Sequence, residues 1–525
     1  MNTPSTLFIN DTNKNKNQDN EIDNRLHKRQ ENFENNENFF KIKENSMTKE
    51  LFIGENFRTK KFLQMRLKQN LFNESTQNLK NNLTIPLEWY EKCNNIKVDF
   101  NNCEEIISAF KDSDLNQKYL GLVGIKKLVS LKENSPTQQL INLGIIPELI
   151  SLLDSSPLEF QYESLRCLTD ITSGTCDQTL NIITKDNLDK ISKAMESPIE
   201  EIKIQSIWLI GNLALDSTKI RDILIDKKIF DKILLVLAST NNIKIIKQCT
   251  WTVIGFFRLR PKLSYELSIK TLKLLARILV LLPEDKEFLS EACFFFSYMT
   301  ETFKSSPKLM LDLNIIPYIV KCLDVDSFQI QMTCLRIIGN IATGDANQTQ
   351  LLIDLNILNY FKKTIVHEKK IIRKETSWII SNIAAGTQKQ IEALISQDFL
   401  PILIECIKHD EIEVKKECIW GICNLTSVAN VGMKEKILKQ GILEIIFECL
   451  EMDEPKVLAV CLEALSNLLL YGKETSTNGQ NKIALQIEKM GKCDLLEKLQ
   501  YYRIDIIYDK VIKLLIAYFK VEYNE

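Results

Sequence analysis

Three histidines in 525 residues leave little material for metal or general-base chemistry, and His27, His367 and His409 form no pair at helical spacing. The chain also lacks a Cys-x-x-Cys pair and a glycine-rich loop of the phosphate-cradling kind. No catalytic residue, metal or cofactor is therefore expected. Glycine and proline are scarce, at 16 and 12, which suits helices and leaves no Pro/Gly/Ser-rich linker to divide the chain. Uninterrupted apolar runs are missing too: Ile269 to Leu282 is broken by Lys270, Lys273 and Arg277, so no membrane span is expected, and no secretory signal is expected at the start. A charge excess is absent, the net value being −2. That argues against bulk phosphate binding and direct contact with nucleic acid, although a neutral sum can conceal separated fields. The 14 cysteines are scattered through apolar segments such as those around Cys293, Cys334 and Cys461, as small buried residues in a reducing compartment would be.

What the chain has is a period. Steps of 42 or 43 residues from Arg166 reach Trp208, Trp251, Phe294, Arg336, Trp378, Trp420 and Glu463. Four residues after each lies a second ladder: Asp170, Asn212, Gly255, Tyr298, Asn340, Asn382, Asn424 and Asn467. With 525 residues and no linker, stacked repeats resolve the problem of size, because each unit buries its face on its neighbours. A representative unit, Gln331 to Ile365, reads as an apolar-periodic helix through Leu335, Ile338 and Ile341, a turn at Thr343-Gly344-Asp345, a helix from Gln348 to Leu355, and a third segment from Leu358. Further turn signals fall at Ser173-Gly174, Ala385-Gly386 and Gly472. Three short helices per 42 residues is the armadillo pattern. The expected fold is an all-α, right-handed superhelical solenoid of about ten armadillo repeats over 102–525, with Asp494 to Phe519 as a capping repeat.

Residues 1–75 differ in kind, being crowded with Asn, Lys, Glu and Gln and too poor in apolar residues to offset the entropy of ordering. They read as a disordered, mobile arm, followed by a linker over 76–101. Within the arm, Arg58, Lys60, Lys61, Arg66 and Lys68 alternate with Phe57, Phe62, Leu63, Met65 and Leu67. Both a helix that forms on a partner and a solvated linker fit that pattern.

A Trp at fixed repeat phase is usually core. The same slot holds Arg166, Arg336 and Glu463 in other units, however, and charge is rarely tolerated unpartnered in a core. The slot is therefore expected on the repeat surface. Residues four apart share a helix face, so each unit sets a flat or basic side chain beside a small amide. Asn can hold both polar groups of an extended peptide unit, and Trp can flank a Lys or Arg stem with a cation–π attraction of roughly 0.5–2 kcal/mol. Acidic residues lie close by: Asp216 after Asn212, Glu375 before Trp378, and Glu417 before Trp420. The ligand implied is an extended basic peptide.

Several stretches carry a family resemblance. They are Gly339-Asn340-Ile341-Ala342-Thr343-Gly344-Asp345 with Gln348-Thr349-Gln350, Lys374-Glu375-Thr376-Ser377-Trp378-Ile379-Ile380-Ser381-Asn382, and Lys416-Glu417-Cys418-Ile419-Trp420 with Asn424. Ser173-Gly174-Thr175 with Gln178-Thr179, and Gly211-Asn212 with Asp216-Ser217 and Arg221-Asp222, belong with them. From about residue 100 to 520 the chain resembles importin α, the armadillo adaptor that links cargo bearing a nuclear localisation signal (NLS) to importin β. The resemblance implies two cargo grooves. In the N-terminal one it places Gly174, Thr179, Trp208, Asn212, Asp216 and Trp251, of which Gly174, Thr179 and Asp216 would hold the key lysine of the signal. Of three Trp/Asn pairs expected there, Arg166/Asp170 and Trp251/Gly255 depart and only Trp208/Asn212 is whole. Arg166 puts positive charge in the path of a basic peptide, with Asp170 a possible neutralising partner, so this groove is expected to be weakened or re-specified. The C-terminal groove matches in full: Tyr298, Arg336, Asn340, Trp378, Asn382, Trp420 and Asn424, with Thr349, Glu375, Ser381 and Glu417 as polar complement.

The same resemblance implies an importin-β-binding arm, carried here by Arg25, Arg29, Arg58, Lys60, Lys61 and Lys68. Its closing basic cluster is thinned to Leu67-Lys68-Gln69-Asn70, so autoinhibition is expected to be weak. It also implies a nuclear export receptor as partner of the terminal repeats, and shuttling between cytoplasm and nucleus. A divergent armadillo scaffold without importin-β-dependent transport remains the alternative.

Overall fold

The structure is a computed structural model that describes Val98 and residues 103–519, apart from 132–133, 156 and 477–478. The arm residues Arg25, Arg29, Arg58, Lys60, Lys61 and Lys68 lie outside the described residues. Every regular element among those described is helical, and together they form an all-α armadillo-repeat solenoid. The chain divides into two compact units in sequence between Phe295 and Phe296.

One helix of each repeat carries both ladder positions. These ladder helices are α1 (Leu158–Thr172), α2 (Glu200–Asp216), α3 (Ile243–Phe257), α4 (Lys286–Thr302), α5 (Phe328–Ala342), α6 (Lys370–Ile383), α7 (Ile412–Val428) and α8 (Pro455–Glu474). Within the first unit α1 packs on α2 and α2 on α3; within the second, α5 to α8 pack in succession and α8 meets Asp505–Tyr518. The representative repeat folds as its pattern predicts: α5 ends at Ala342, and Ala346–Asp354, Ile357–Thr364 and α6 follow. Its interior is fully buried Ile, Leu and Phe, including Leu335, Ile338, Leu352 and Phe361.

The polar turns are helix starts. Asp345 accepts from the Gln348 amide at 2.9 Å, while Thr175 with Gln178 and Thr387 with Gln390 form reciprocal capping boxes. Gln390 also reaches the preceding repeat, donating to the Ala346 carbonyl at 2.8 Å. The Gly472 turn is a correction: Gly472 lies inside α8. It is small for another reason, since a Cβ there would come within 2.1 Å of Asn481 Oδ1, the side chain that caps the next helix. By length and composition α8 is apolar enough to cross a membrane, yet 61% of that window is buried inside the repeat stack.

The largest fully buried side chain among the described residues is Arg221, at 2% exposure. It donates to Asp222 at 2.8 Å and to the carbonyls of Leu259 and Pro261 at 3.3 and 2.8 Å, tying its repeat to the loop after α3. Arg221→Ala orphans those carbonyls and is expected to cost about 2–3 kcal/mol of local stability. Native-state hydrogen exchange should show faster exchange over 215–262 and little change beyond 400; uniform protection would contradict the assignment.

Candidate functional site

The four ladder tryptophans differ in exposure. Trp208 is buried at 8%, Trp251 and Trp378 are half-buried, and Trp420 is 40% exposed. The expectation of a surface slot therefore needs correction at Trp208 and stands at Trp420. The half-buried rings pack edge-on over a glycine one repeat earlier: a Cβ on Gly211 would meet Trp251 at 2.3 Å, and one on Gly339 would meet Trp378 at 2.1 Å.

The asparagines are also partly engaged within the fold. Asn212 is wholly buried and donates through Nδ2 to the Thr169 carbonyl at 3.2 Å, leaving its Oδ1 without a partner. Asn424 donates to the Ser381 carbonyl at 2.8 Å, Asn340 to Thr300 Oγ1 at 2.9 Å, and Asn467 to Thr426 Oγ1 at 3.4 Å. Each partner lies in the preceding repeat. Asn382 is different: it is buried, and its Nδ2 donates to nothing.

In the second unit Trp378 and Asn382 on α6 and Trp420 and Asn424 on α7 make two consecutive whole rungs on packed helices. Arg336 and Asn340 precede them on α5, and Tyr298, buried on α4, stands edge-on to Phe303 at 6.3 Å. Burial pushes the Glu375 carboxyl above its usual range, with Arg336 opposing that shift. Glu417 is half-buried on α7. The hydroxyls of Thr349 and Ser381 are buried and donate to main chain, Thr349 to the Ala342 and Asp345 carbonyls and Ser381 to that of Trp378.

In the first unit Thr179 is buried and donates to the Thr175 carbonyl at 3.1 Å. Gly174 precedes the capped helix, and Asp216 ends α2. No local pattern signals that the exposed thiol of Cys176 lies against Asp216; the hydrogen bond to that carboxylate first, and burial second, push its pKa up to about 11. The neighbours of Arg166 also differ from expectation. Its ion pair is with Glu163, three residues back at 3.3 Å, and its guanidinium lies 5.6 Å from the Tyr162 ring centroid. Asp170 instead accepts from Ser130. At the far end of this unit, Arg258 pairs with Glu291 at 2.6 Å and stacks 4.1 Å from the centre of the Phe294 ring, so that ladder position already holds a cation of the chain itself.

The Armadillo/beta-catenin-like repeat family matches residues 133–173 and 387–427, each match ending on a ladder helix. Importin subunit alpha-1b of Oryza sativa subsp. japonica is 29% identical over 246 residues, covering 47% of this chain and 46% of the relative. Importin subunit alpha-B of Dictyostelium discoideum is 30% identical over 223 residues, covering 42% and 43%. This chain is an armadillo-repeat protein similar to importin α subunits. The matched stretch spans about half the length of these curated relatives. An engineered protein of known crystal structure shares the fold at a TM-score of 0.63 and 19% identity, covering 79% of this chain and 98% of that one.

Two outcomes test this geometry. Cys176 should alkylate with iodoacetamide about tenfold more slowly than an ordinary exposed thiol at pH 8, because fewer thiolates outweigh their greater nucleophilicity. Asp216→Asn should restore much of that rate, as read by mass spectrometry; an unchanged rate would remove Asp216 from the thiol. Separately, Gly339→Ala should displace the Trp378 ring, shifting Trp fluorescence with little loss of helicity.

Proposed function

We propose that this protein is a nuclear import adaptor that binds extended basic peptides, the NLS segments of cargo, chiefly along α5 to α7. The observation that carries the reading is the α6 rung. There a half-buried Trp378 ring stands beside a buried Asn382 donor with no partner, and a desolvated Glu375 lies close to the same face. A peptide carbonyl would satisfy the Asn382 amide, a Lys or Arg stem would lie on Trp378 and Trp420, and its charge would stabilise ionised Glu375 and Glu417. Basic residues at alternate positions of an extended chain meet successive rungs. No bond is made or broken; the mechanism is equilibrium capture.

The residues Gly174, Thr179 and Asp216 retain the elements of a lysine pocket, so the first unit contributes a second, narrower anchor. The arm would recruit importin β, the terminal repeats would meet a nuclear export receptor, and the protein would shuttle between cytoplasm and nucleus. A non-transport scaffold is favoured by one feature: Arg258, Glu291 and Phe294 satisfy one another in a ladder slot that would otherwise take a ligand cation. A full-length chain that binds basic peptide but not importin β would establish the scaffold.

Fluorescence anisotropy of labelled one-cluster and two-cluster basic peptides with the full chain tests the adaptor reading. Trp378→Ala with Trp420→Ala should weaken binding by about 2 kcal/mol, roughly thirtyfold. Asp216→Ala should cost less and act mainly on the two-cluster peptide. These variants avoid Trp208 and Asn212, whose burial would confuse binding with folding. Absence of binding by either peptide would reject a basic-peptide adaptor.

A further inference from the structure

We propose that Cys406 and Cys418 form a redox-sensitive dithiol that a peroxide converts to a disulfide, clipping the ladder helix α7 to the helix before it. The inference stands apart from the peptide-binding reading.

The pair occupies a recurrent slot of the second unit. Residues 12 apart at one repeat phase are Cys322/Cys334, Thr364/Thr376, Cys406/Cys418 and Cys449/Cys461, in steps of 42, 42 and 43. In each pair the second residue lies on a ladder helix, α5 to α8 in turn, and the first at or near the end of the helix before it. The slot brings its two side chains together. The Thr376 hydroxyl donates to Thr364 Oγ1 at 2.8 Å, and the sulfurs of Cys322 and Cys334 lie within 4.8 Å of each other. At Cys406/Cys418 the two thiols hydrogen-bond, and Cys449/Cys461 repeat the arrangement. Helix Phe399–His409, which carries Cys406, packs directly on α7. Thiols in contact across two packed helices need little movement to reach a disulfide, whose Cβ atoms stand about 3.5–4.5 Å apart.

The two thiols are not equivalent. Cys406 is 9% exposed, whereas Cys418 is wholly buried. The hydrogen bond from Cys418 holds the Cys406 thiol below its usual pKa; Arg373 helps, while burial, Asp410 and Glu405 oppose. Cys418 is pushed up, by that same bond first and by burial second, and its thiol also reaches Ser377 Oγ at 3.4 Å. Cys406 is thus the attacking group and Cys418 the resolving one. The Cys406 thiolate attacks one peroxide oxygen, the O–O bond breaks, and the departing hydroxide takes up the proton that Cys406 gave up, leaving a sulfenic acid and water. The Cys418 sulfur then attacks the Cys406 sulfur, the S–O bond breaks, and the hydroxyl departs with the Cys418 proton as a second water. Two thiols are oxidised to one disulfide and one peroxide is reduced to two waters. In a reducing compartment a thiol such as glutathione reverses the bond, so the clip is transient.

The test maps thiols in the full, reduced chain after brief exposure to hydrogen peroxide at neutral pH, with unreacted thiols capped by N-ethylmaleimide in denaturant. Lys408, Lys415 and Lys416 lie between the two cysteines, so tryptic digestion separates them and mass spectrometry reads the link directly. A Cys406–Cys418 link is expected, with Cys406 consumed about tenfold faster than Cys249, a buried thiol that burial pushes up and whose same-phase counterpart is Leu237. Hydrogen exchange over 399–428 should slow after oxidation and recover with dithiothreitol. Cys418→Ser should leave a Cys406 sulfenic acid that dimedone traps, and Cys406→Ser should leave Cys418 unoxidised. Should either variant melt early, the map of the unsubstituted chain decides alone. Consumption of Cys406 no faster than Cys249, a Cys406 sulfenic acid on the unsubstituted chain that never resolves to the Cys418 link, or a link that forms only in denaturant overturns the inference.

Discussion

The contact on which the repeat stack depends is an aromatic ring laid over a bare backbone one repeat earlier. Trp251 closes on Gly211 and Trp378 on Gly339 with no room for a methyl group. The glycine precedes a ladder asparagine, so ring, glycine and amide recur as one set along the chain. The asparagine works in the same direction: Asn212 and Asn424 donate to carbonyls 43 residues back, at Thr169 and Ser381. Ring and amide therefore both serve the packing, to different degrees: Trp208 is 8% exposed and Trp420 40%, on helices built to one pattern.

Because each repeat touches mainly its neighbours, a lost ladder residue is compensated locally instead of through the whole stack. Where Asn is replaced by Gly255, Leu215 of the preceding repeat closes to 3.3 Å from the site of a Cβ, and the amide slot becomes apolar contact. Where Trp is replaced by Arg166, the helix supplies Glu163 and Tyr162 from the turn before. Where it is replaced by Phe294, Arg258 lies on the ring and Glu291 takes its charge. These are three different repairs, and each leaves the helix-on-helix register intact. The solenoid can thus lose ligand-facing chemistry at one rung while keeping its fold, which fits a chain that shares under a third of its matched residues with its relatives.

The fold was legible because two periods coincide in the sequence: 3.6 residues within each helix and 42 or 43 between equivalent helices. Arg166 was harder. Helical spacing offers an acid on either side, Glu163 at three residues and Asp170 at four, and only the position of Ser130 on another helix draws Asp170 away. The spent amides of Asn212 and Asn424 were not legible at all, since their partners are main-chain carbonyls that look alike in any sequence. Gly472 misled for a related reason: a glycine signals a turn by its backbone freedom, but here it answers the approach of the Asn481 side chain. The Cys176–Asp216 bond joins residues 40 apart across the start of one helix and the end of another, a proximity no local pattern encodes.

The two units meet a basic residue in the ladder slot in different ways. At Arg336 the neighbouring acid is Glu375, so desolvated that its carboxyl is pushed upward despite the guanidinium nearby. A ligand cation there would return to the carboxylate the favourable environment that burial removed, and the basic rung residue does not prevent this because it shares the same acid. At Arg166 two carboxylates share the rung: Glu163 pairs with the guanidinium at 3.3 Å, and Asp170 accepts from Ser130. Burial penalises whichever ion lacks a partner, and the missing partner defines the ligand. At α6 the carboxyl of Glu375 is the group so penalised, whereas at α1 the chain supplies both signs itself.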